Sequence, residues 1–151
     1  MTSSPRLLTA SSVFTAILLS AIGCSGLAPG PGPEDPDAPT SFSTTDSGLR
    51  YRITRKSDRS KPGSASDVKV QYIGKLEDGT VFDNSYTRGE GVIFNLGEVV
   101  KGWREGLMLL GEGGMIELEV PPDLGYGEAG KPPKIPPNAT LKFTVELIRV
   151  F

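Results

Sequence analysis

The sequence predicts an α+β domain, an antiparallel sheet that is wet on one face and carries a single helix on the other. Three observations predict it. Apolar and polar residues alternate in four separate runs, only one segment shows helical spacing, and 19 Gly and 13 Pro among 151 residues supply the turns of a short-stranded domain. Period two with one charged face marks strands packed on one side and solvated on the other. An amphipathic helix must bury its apolar stripe, and the dry face of the sheet is the surface that can receive it.

The strands follow in order. Leu49, Tyr51 and Ile53 alternate with Arg50, Arg52 and Thr54, and Val68, Val70 and Tyr72 with Lys69, Gln71 and Ile73. Glu77-Asp78-Gly79-Thr80, between Leu76 and Val81, reads as a hairpin-type turn. Val92 to Leu96 is a further short strand. Ile116, Leu118 and Val120 alternate with Glu117 and Glu119, then Leu141, Phe143, Val145 and Leu147 with Lys142, Thr144 and Glu146. There the phase slips, because Ile148 and Val150 fall on the charged face and Arg149 on the apolar one. A bulge, or a chain end covered on both sides, accounts for such a slip. The helix spans Glu98 to Leu110, where Val99, Trp103, Leu107 and Leu110 recur at helical spacing and Gly111 closes the run. Gly102 and Gly106 lie inside it, so packing rather than propensity must hold it. Pro121 to Thr140 reads as a long loop with six prolines. A loop of that length in a compact domain usually carries function.

Composition removes several chemistries. The chain has no histidine, which excludes a Ser-His-Asp triad, a His-activated thiol and His-ligated metal sites. Its one cysteine, Cys24, excludes an intrachain disulfide and a Cys-rich metal cage. No cofactor and no metal are expected. The net charge of −2 arises early: no Lys or Arg stands between Leu7 and Leu49, whereas Glu34, Asp35 and Asp37 do. From Asp46 onward acids and bases are equal in number. A balanced, interspersed surface offers no footprint for nucleic acid or anionic lipid, and neither is an expected partner.

The first 47 residues divide in two. Arg6 precedes an apolar stretch from Leu7 to Ile22, shorter than the roughly 20 residues of a membrane span, so residues 1–23 read as a secretory signal peptide. Ala21-Ile22-Gly23-Cys24 resembles the lipobox of bacterial lipoproteins, in which the leader is cut before the Cys and the thiol is acylated. Ala21 stands where that motif more often has Leu, and Ile22 where it often has a small residue. The alternative is an uncleaved anchor or a buried apolar helix. The lipobox reading places the protein in a bacterial cell envelope, facing the periplasm or the exterior and membrane-bound only through lipid on Cys24. Residues 24–47 hold Pro29, Pro31, Pro33, Pro36 and Pro39 and almost no large apolar side chains. They read as a disordered tether, with a proline-motif ligand as the alternative and the folded domain at 48–151.

Four motifs then stand in order: Val70-Gln-Tyr72-Ile-Gly74-Lys-Leu76-Glu-Asp-Gly79-Thr-Val-Phe82-Asp83, Gly102-Trp103-Arg-Glu-Gly106, Gly125-Tyr126-Gly127 and Ile135-Pro136-Pro137-Asn-Ala-Thr-Leu141-Lys-Phe143. Together they resemble the FKBP-type peptidyl-prolyl isomerases, the macrolide-binding immunophilins, over roughly Leu49 to Phe151. The resemblance implies a twisted antiparallel sheet wrapped around a short helix, with an apolar active-site pocket between them. It implies Trp103 as the floor and Tyr72, Phe82, Val92, Phe94, Val99, Val100, Ile135 and Phe143 as walls or substrate contacts. Tyr126 would offer a hydroxyl to the substrate carbonyl. Asp83 would sit at the pocket edge, held by Arg88 and the Tyr72 hydroxyl, and Glu98 would contribute its backbone carbonyl. Val92 falls where the family often has a phenylalanine, which implies a wider pocket, and Lys131 and Lys134 put positive charge at the rim. Proline-containing polypeptides are the implied substrates and macrolides the implied ligands. A non-catalytic chaperone or binding module on the same fold is the alternative.

Overall fold

The computed structural model describes residues 29–151, so the stretch read as a signal peptide and the expected lipid site at Cys24 lie outside the described residues. Seven strands follow in chain order: β1 (Ser43–Thr44), β2 (Arg50–Arg55), β3 (Asp67–Leu76), β4 (Val81–Asn84), β5 (Val92–Asn95), β6 (Met115–Val120) and β7 (Leu141–Val150). One α-helix, α1 (Lys101–Met108), lies between β5 and β6. All pairings are antiparallel, in the order β1-β2-β6-β7-β3-β4, and β5 also pairs with β3. The long strands β3 and β7 form the spine, paired from Val68–Val150 to Leu76–Leu141. Their alternation places Val68, Val70, Val145 and Leu147 in the core with Leu118 and Leu107, as the period-two pattern requires.

Bulges explain where the alternation fails. Lys69 pairs with Arg149 but Val70 pairs with Leu147, so Ile148 is an extra residue. The bulge turns its side chain out to 43% exposure. A second register shift falls between Ile53 and Arg55. Thr54, expected on the wet face, is instead fully buried, and its hydroxyl finds no partner among the described residues.

The helix is shorter than its spacing suggests. Asn95 Oδ1 accepts the Gly97 N–H at 2.8 Å and Asn95 O the Glu98 N–H at 3.0 Å, so Leu96 to Val99 form a turn and Val99 lies ahead of the helix. At the far end, Leu109 and Leu110 donate to Gly106 and Leu107, a tightening that closes the last turn. A Cβ on Gly102 would stand 2.6 Å from Val120 Cγ1, and one on Gly106 2.5 Å from Leu118 Cδ2. The two glycines therefore let the helix backbone lie directly on β6. That close packing offsets their poor helix propensity.

The described part of the proline-rich segment corrects the expectation of a disordered tether. Asp35 N–H donates to Thr54 O at 2.7 Å, and Asp35 Oδ2 accepts the Lys56 N–H at 2.7 Å. Arg55 reaches Pro33 O and Arg52 reaches Pro39 O, each at 3.2 Å. Glu146 Oε1 accepts both the Gly32 N–H at 3.2 Å and Arg55 Nη2 at 2.8 Å, while Tyr86 Oη donates to Oε2. Phe42 then lies under Arg50 and Arg52, and β1 adds an edge to β2. A segment with too little apolar surface to form a core is held here by hydrogen bonds to backbone and charge. Within the described residues, contacts to the domain therefore reach back to Gly32, ahead of residue 48.

Candidate active site

β3 and β7 present Tyr72 and Phe143 on the dry face, and α1 sets Trp103 beneath them. The Trp103 ring meets Tyr72 edge-on at 5.0 Å, Phe94 at 5.5 Å and Phe143 at 5.3 Å, with interplanar angles of 86°, 85° and 81°. Phe82, from β4, meets Phe143 edge-on at 5.6 Å. Such T-shaped contacts match positive ring edges to negative faces and fix ring orientation as well as burying area. Gly74 makes room for them: a Cβ there would stand 2.6 Å from Phe82 Cζ. Above Trp103 opens a cavity of about 450 Å³ with Tyr126 and Lys131 at its outer side. The Trp103 indole N–H is buried and has no acceptor among the described residues.

One ionised group lines the aromatic wall under restraint. Asp83 Oδ1 takes Arg88 Nη1 at 2.7 Å, Tyr72 Oη donates to Oδ2, and Arg88 Nη2 also reaches Tyr72 Oη at 3.2 Å. Partial burial works to raise the Asp83 carboxyl, but the hydrogen bonds from Arg88 and Tyr72 outweigh it and hold the group below the usual carboxylate range. Burial, then the bond to Asp83, pushes Tyr72 up to about 12. At neutral pH the pair is carboxylate and phenol. Both Asp83 oxygens are engaged, which makes it an anchor for Tyr72 and Arg88 rather than a free base.

The structure brings Tyr72, Phe82, Asp83, Phe94, Glu98, Val99, Val100, Trp103, Tyr126 and Phe143 to one cavity. Arg88 stands behind Asp83, outside the lining. Ile135 is 4% exposed and lines an adjoining cavity. Val92 is a correction: on β5 it pairs with Val70 of β3 and packs on the core without lining the cavity, whereas Phe94, expected beside it, does line the cavity. Two contributors escaped sequence reasoning. Arg104 donates to Leu96 O at 2.8 Å and Gly97 O at 2.7 Å, tying the Glu98–Val100 wall to the helix, and no spacing marks it. Ser85 is fully buried; its hydroxyl accepts the Tyr72 N–H at 2.7 Å and donates to Gln71 Oε1, joining β3 to the turn after β4.

A family model described as FKBP-type peptidyl-prolyl cis-trans isomerase matches residues 58–148. The chain belongs to that family. Among FKBP-type relatives, it is 50% identical over 107 residues to a probable FKBP-type peptidyl-prolyl cis-trans isomerase of Haemophilus influenzae, covering 71% of this chain and 44% of that protein. It is 44% identical over 105 residues to the mouse peptidyl-prolyl cis-trans isomerase FKBP2, covering 68% of this chain and 74% of the relative. The crystal structure of FkpA from Escherichia coli superposes with a TM-score of 0.71 at 46% identity, over 74% of this chain and 52% of that one. The chain spans less than half the length of this Haemophilus influenzae relative and of Escherichia coli FkpA. The seven-stranded antiparallel sheet with one helix is the FKBP fold expected from the motifs.

Proposed function

We propose that this FKBP domain is a peptidyl-prolyl cis-trans isomerase acting on proline-containing polypeptides, and that its cavity is the active site. The observation that carries the reading is Trp103, held edge-on by three aromatic rings at the floor of an open apolar cavity. Rotation about a prolyl amide meets a barrier of roughly 18–20 kcal/mol because resonance stiffens the C–N bond. The twisted transition state has lost that resonance and is less polar at its carbonyl, so a dry aromatic site favours it over the planar ground state. Tyr126 supplies a hydroxyl to the substrate carbonyl, and the unpaired indole N–H offers a second donor. The reaction needs no nucleophile or metal. A macrolide would occupy the same apolar surface and compete with peptide.

The test is the cis–trans rate of a prolyl peptide. Tyr126→Phe removes one hydrogen bond, worth roughly 0.5–1.5 kcal/mol, and should lower kcat/KM about tenfold or less. Asp83→Val, which strips Tyr72 and Arg88 of their shared acceptor, should cost more than that but less than loss of Trp103. Between pH 6 and 8 turnover should stay flat, since Asp83 remains ionised and Tyr72 neutral throughout that range. A tenfold change centred near pH 7, or a rate equal to the uncatalysed one, would overturn the assignment. The latter result would leave the binding-module alternative.

The lipobox at Ala21 to Cys24 supports a lipid-anchored form in a bacterial envelope, acting on exported polypeptides. With Gly32 tied to Glu146, the eight residues 24–31 can span at most about 29 Å, which would hold the domain close to the membrane. Mass spectrometry of the mature N-terminus should find acylated Cys24. A protein that starts at Met1 and extracts without detergent would refute it.

A further inference from the structure

The cavity above Trp103 does not end at Tyr126. A second cavity of about 320 Å³ adjoins it and shares Phe82, Asp83, Tyr126 and Lys131 with it, making one groove along the proline loop. The far wall is the tip from Lys131 to Ile135. Lys131 N–H donates to Ile135 O at 2.9 Å and Ile135 N–H returns to Lys131 O at 3.0 Å, which closes the tip. Pro132 and Pro133 fix φ at two of the three enclosed positions, so the tip is stiff. Lys131 and Lys134 are both exposed on it, and neither forms an ion pair among the described residues. The ammonium of Lys131 stands 5.3 Å from the centre of the Tyr126 ring, at the junction of the two cavities.

The acids nearby do not cancel this charge. Asp83, the one acid lining the second cavity, is already engaged by Arg88 and Tyr72. Glu98 lines the first cavity only, and Glu128 lines neither. One half of the groove is therefore aromatic, and the other carries two uncompensated positive charges on a rigid support.

Resting on the isomerase reading, we propose that Lys131 and Lys134 are specificity-determining residues that select polypeptides with an acidic side chain next to the proline. With the prolyl ring over Trp103, an extended chain advances about 3.3–3.6 Å per residue, which brings a neighbouring side chain along the wall shared by the two cavities. Exposed ion pairs are individually weak, so the preference is set by two lysines acting together and is open to screening.

The experiment compares matched peptides with Glu, Ala or Lys immediately before the proline, and a second set with the substitution immediately after it. At low ionic strength Glu should exceed Ala in kcat/KM by about three- to tenfold in at least one set, with Lys below Ala. The ratio should fall toward one in 1 M salt, where the Debye length is about 3 Å. It should invert in the Lys131→Glu, Lys134→Glu double variant. Equal rates for Glu, Ala and Lys in both sets would overturn the inference, as would a Glu preference that survives high salt or charge reversal. Failure to accelerate any peptide would instead strike the isomerase reading. Quenching of Trp103, the only tryptophan in the chain, by the same peptides would then still measure the preference, and equal affinities would overturn it.

Discussion

Trp103→Ala is expected to lower the unfolding free energy by about 3–5 kcal/mol and to cut kcat/KM by roughly two orders of magnitude. The indole is 5% exposed and is the common neighbour of Tyr72, Phe94 and Phe143, so its removal leaves a void that three rings cannot fill without losing their edge-on contacts. The catalytic loss has a separate origin. A prolyl ring carries three methylenes, each worth about 0.8 kcal/mol when buried, and the floor against which they pack disappears. That amounts to about 2.4 kcal/mol of lost transition-state contact if the ring is fully desolvated there. Chemical denaturation gives the first quantity, and peptide isomerisation at a temperature where the variant remains folded gives the second. Trp103→Phe should restore much of both. Full activity in folded Trp103→Ala would place the reaction elsewhere.

The second large effect is expected on the face of β7 turned away from the cavity. Glu146→Ala should destabilise the domain by about 2–4 kcal/mol, because it leaves the Tyr86 hydroxyl, Arg55 and the Gly32 N–H without their shared acceptor. The Glu146 side chain is only 14% exposed. Burial works to raise its carboxyl, but Tyr86, Arg55 and the Gly32 N–H together hold it below the ordinary glutamate range. Its folded value is thus depressed relative to the unfolded chain. The stability it contributes is fully present above the unfolded value, roughly 4.3, and is lost as pH falls through the lower folded value. Denaturation midpoints followed from pH 7 down to pH 3 should therefore decline less steeply in Glu146→Ala than in the parent. Amide exchange should also quicken from Gly32 to Phe42, since that segment loses its tie to β7. Isomerase activity in the folded variant should hold, because Glu146 points to the face of β7 opposite Phe143 and Val145. An unchanged acid profile would show that the cluster contributes no linked stability.

Period-two patterning revealed β2, β3, β6 and β7 because a residue's face follows from its parity in an extended chain. The same parity exposed the slip at Ile148, which the Lys69–Arg149 and Val70–Leu147 pairing identifies as a bulge. It misplaced Thr54, since the local run carries no sign of an extra residue against β6. Helical spacing included Val99 and Leu110, but hydrogen bonds from the Gly97 and Glu98 N–H groups to Asn95 turn the chain before Lys101, and the helix ends at Met108. Composition reads residues 24–47 as a disordered tether because apolar content measures what a segment can bury, not which distant carbonyls and carboxylates await the N–H groups of Gly32 to Ser47.

By itself, the sequence determined the fold class and the absence of histidine, and its motif order, through the resemblance, implied the aromatic and acidic side chains of the candidate site. These depend on residue type, alternation and motif order, all of which are local. Tertiary structure alone decided that Val92 stays out of the cavity lining, that Arg104 ties down the Glu98–Val100 turn, and that Ser85 joins β3 to the turn after β4. It also decided that Lys131 and Lys134 stand on a closed, stiff tip beside the aromatic floor. Each of these outcomes depends on distances between residues far apart in the chain, set by how β3, β7 and α1 pack, and no local pattern encodes such a distance.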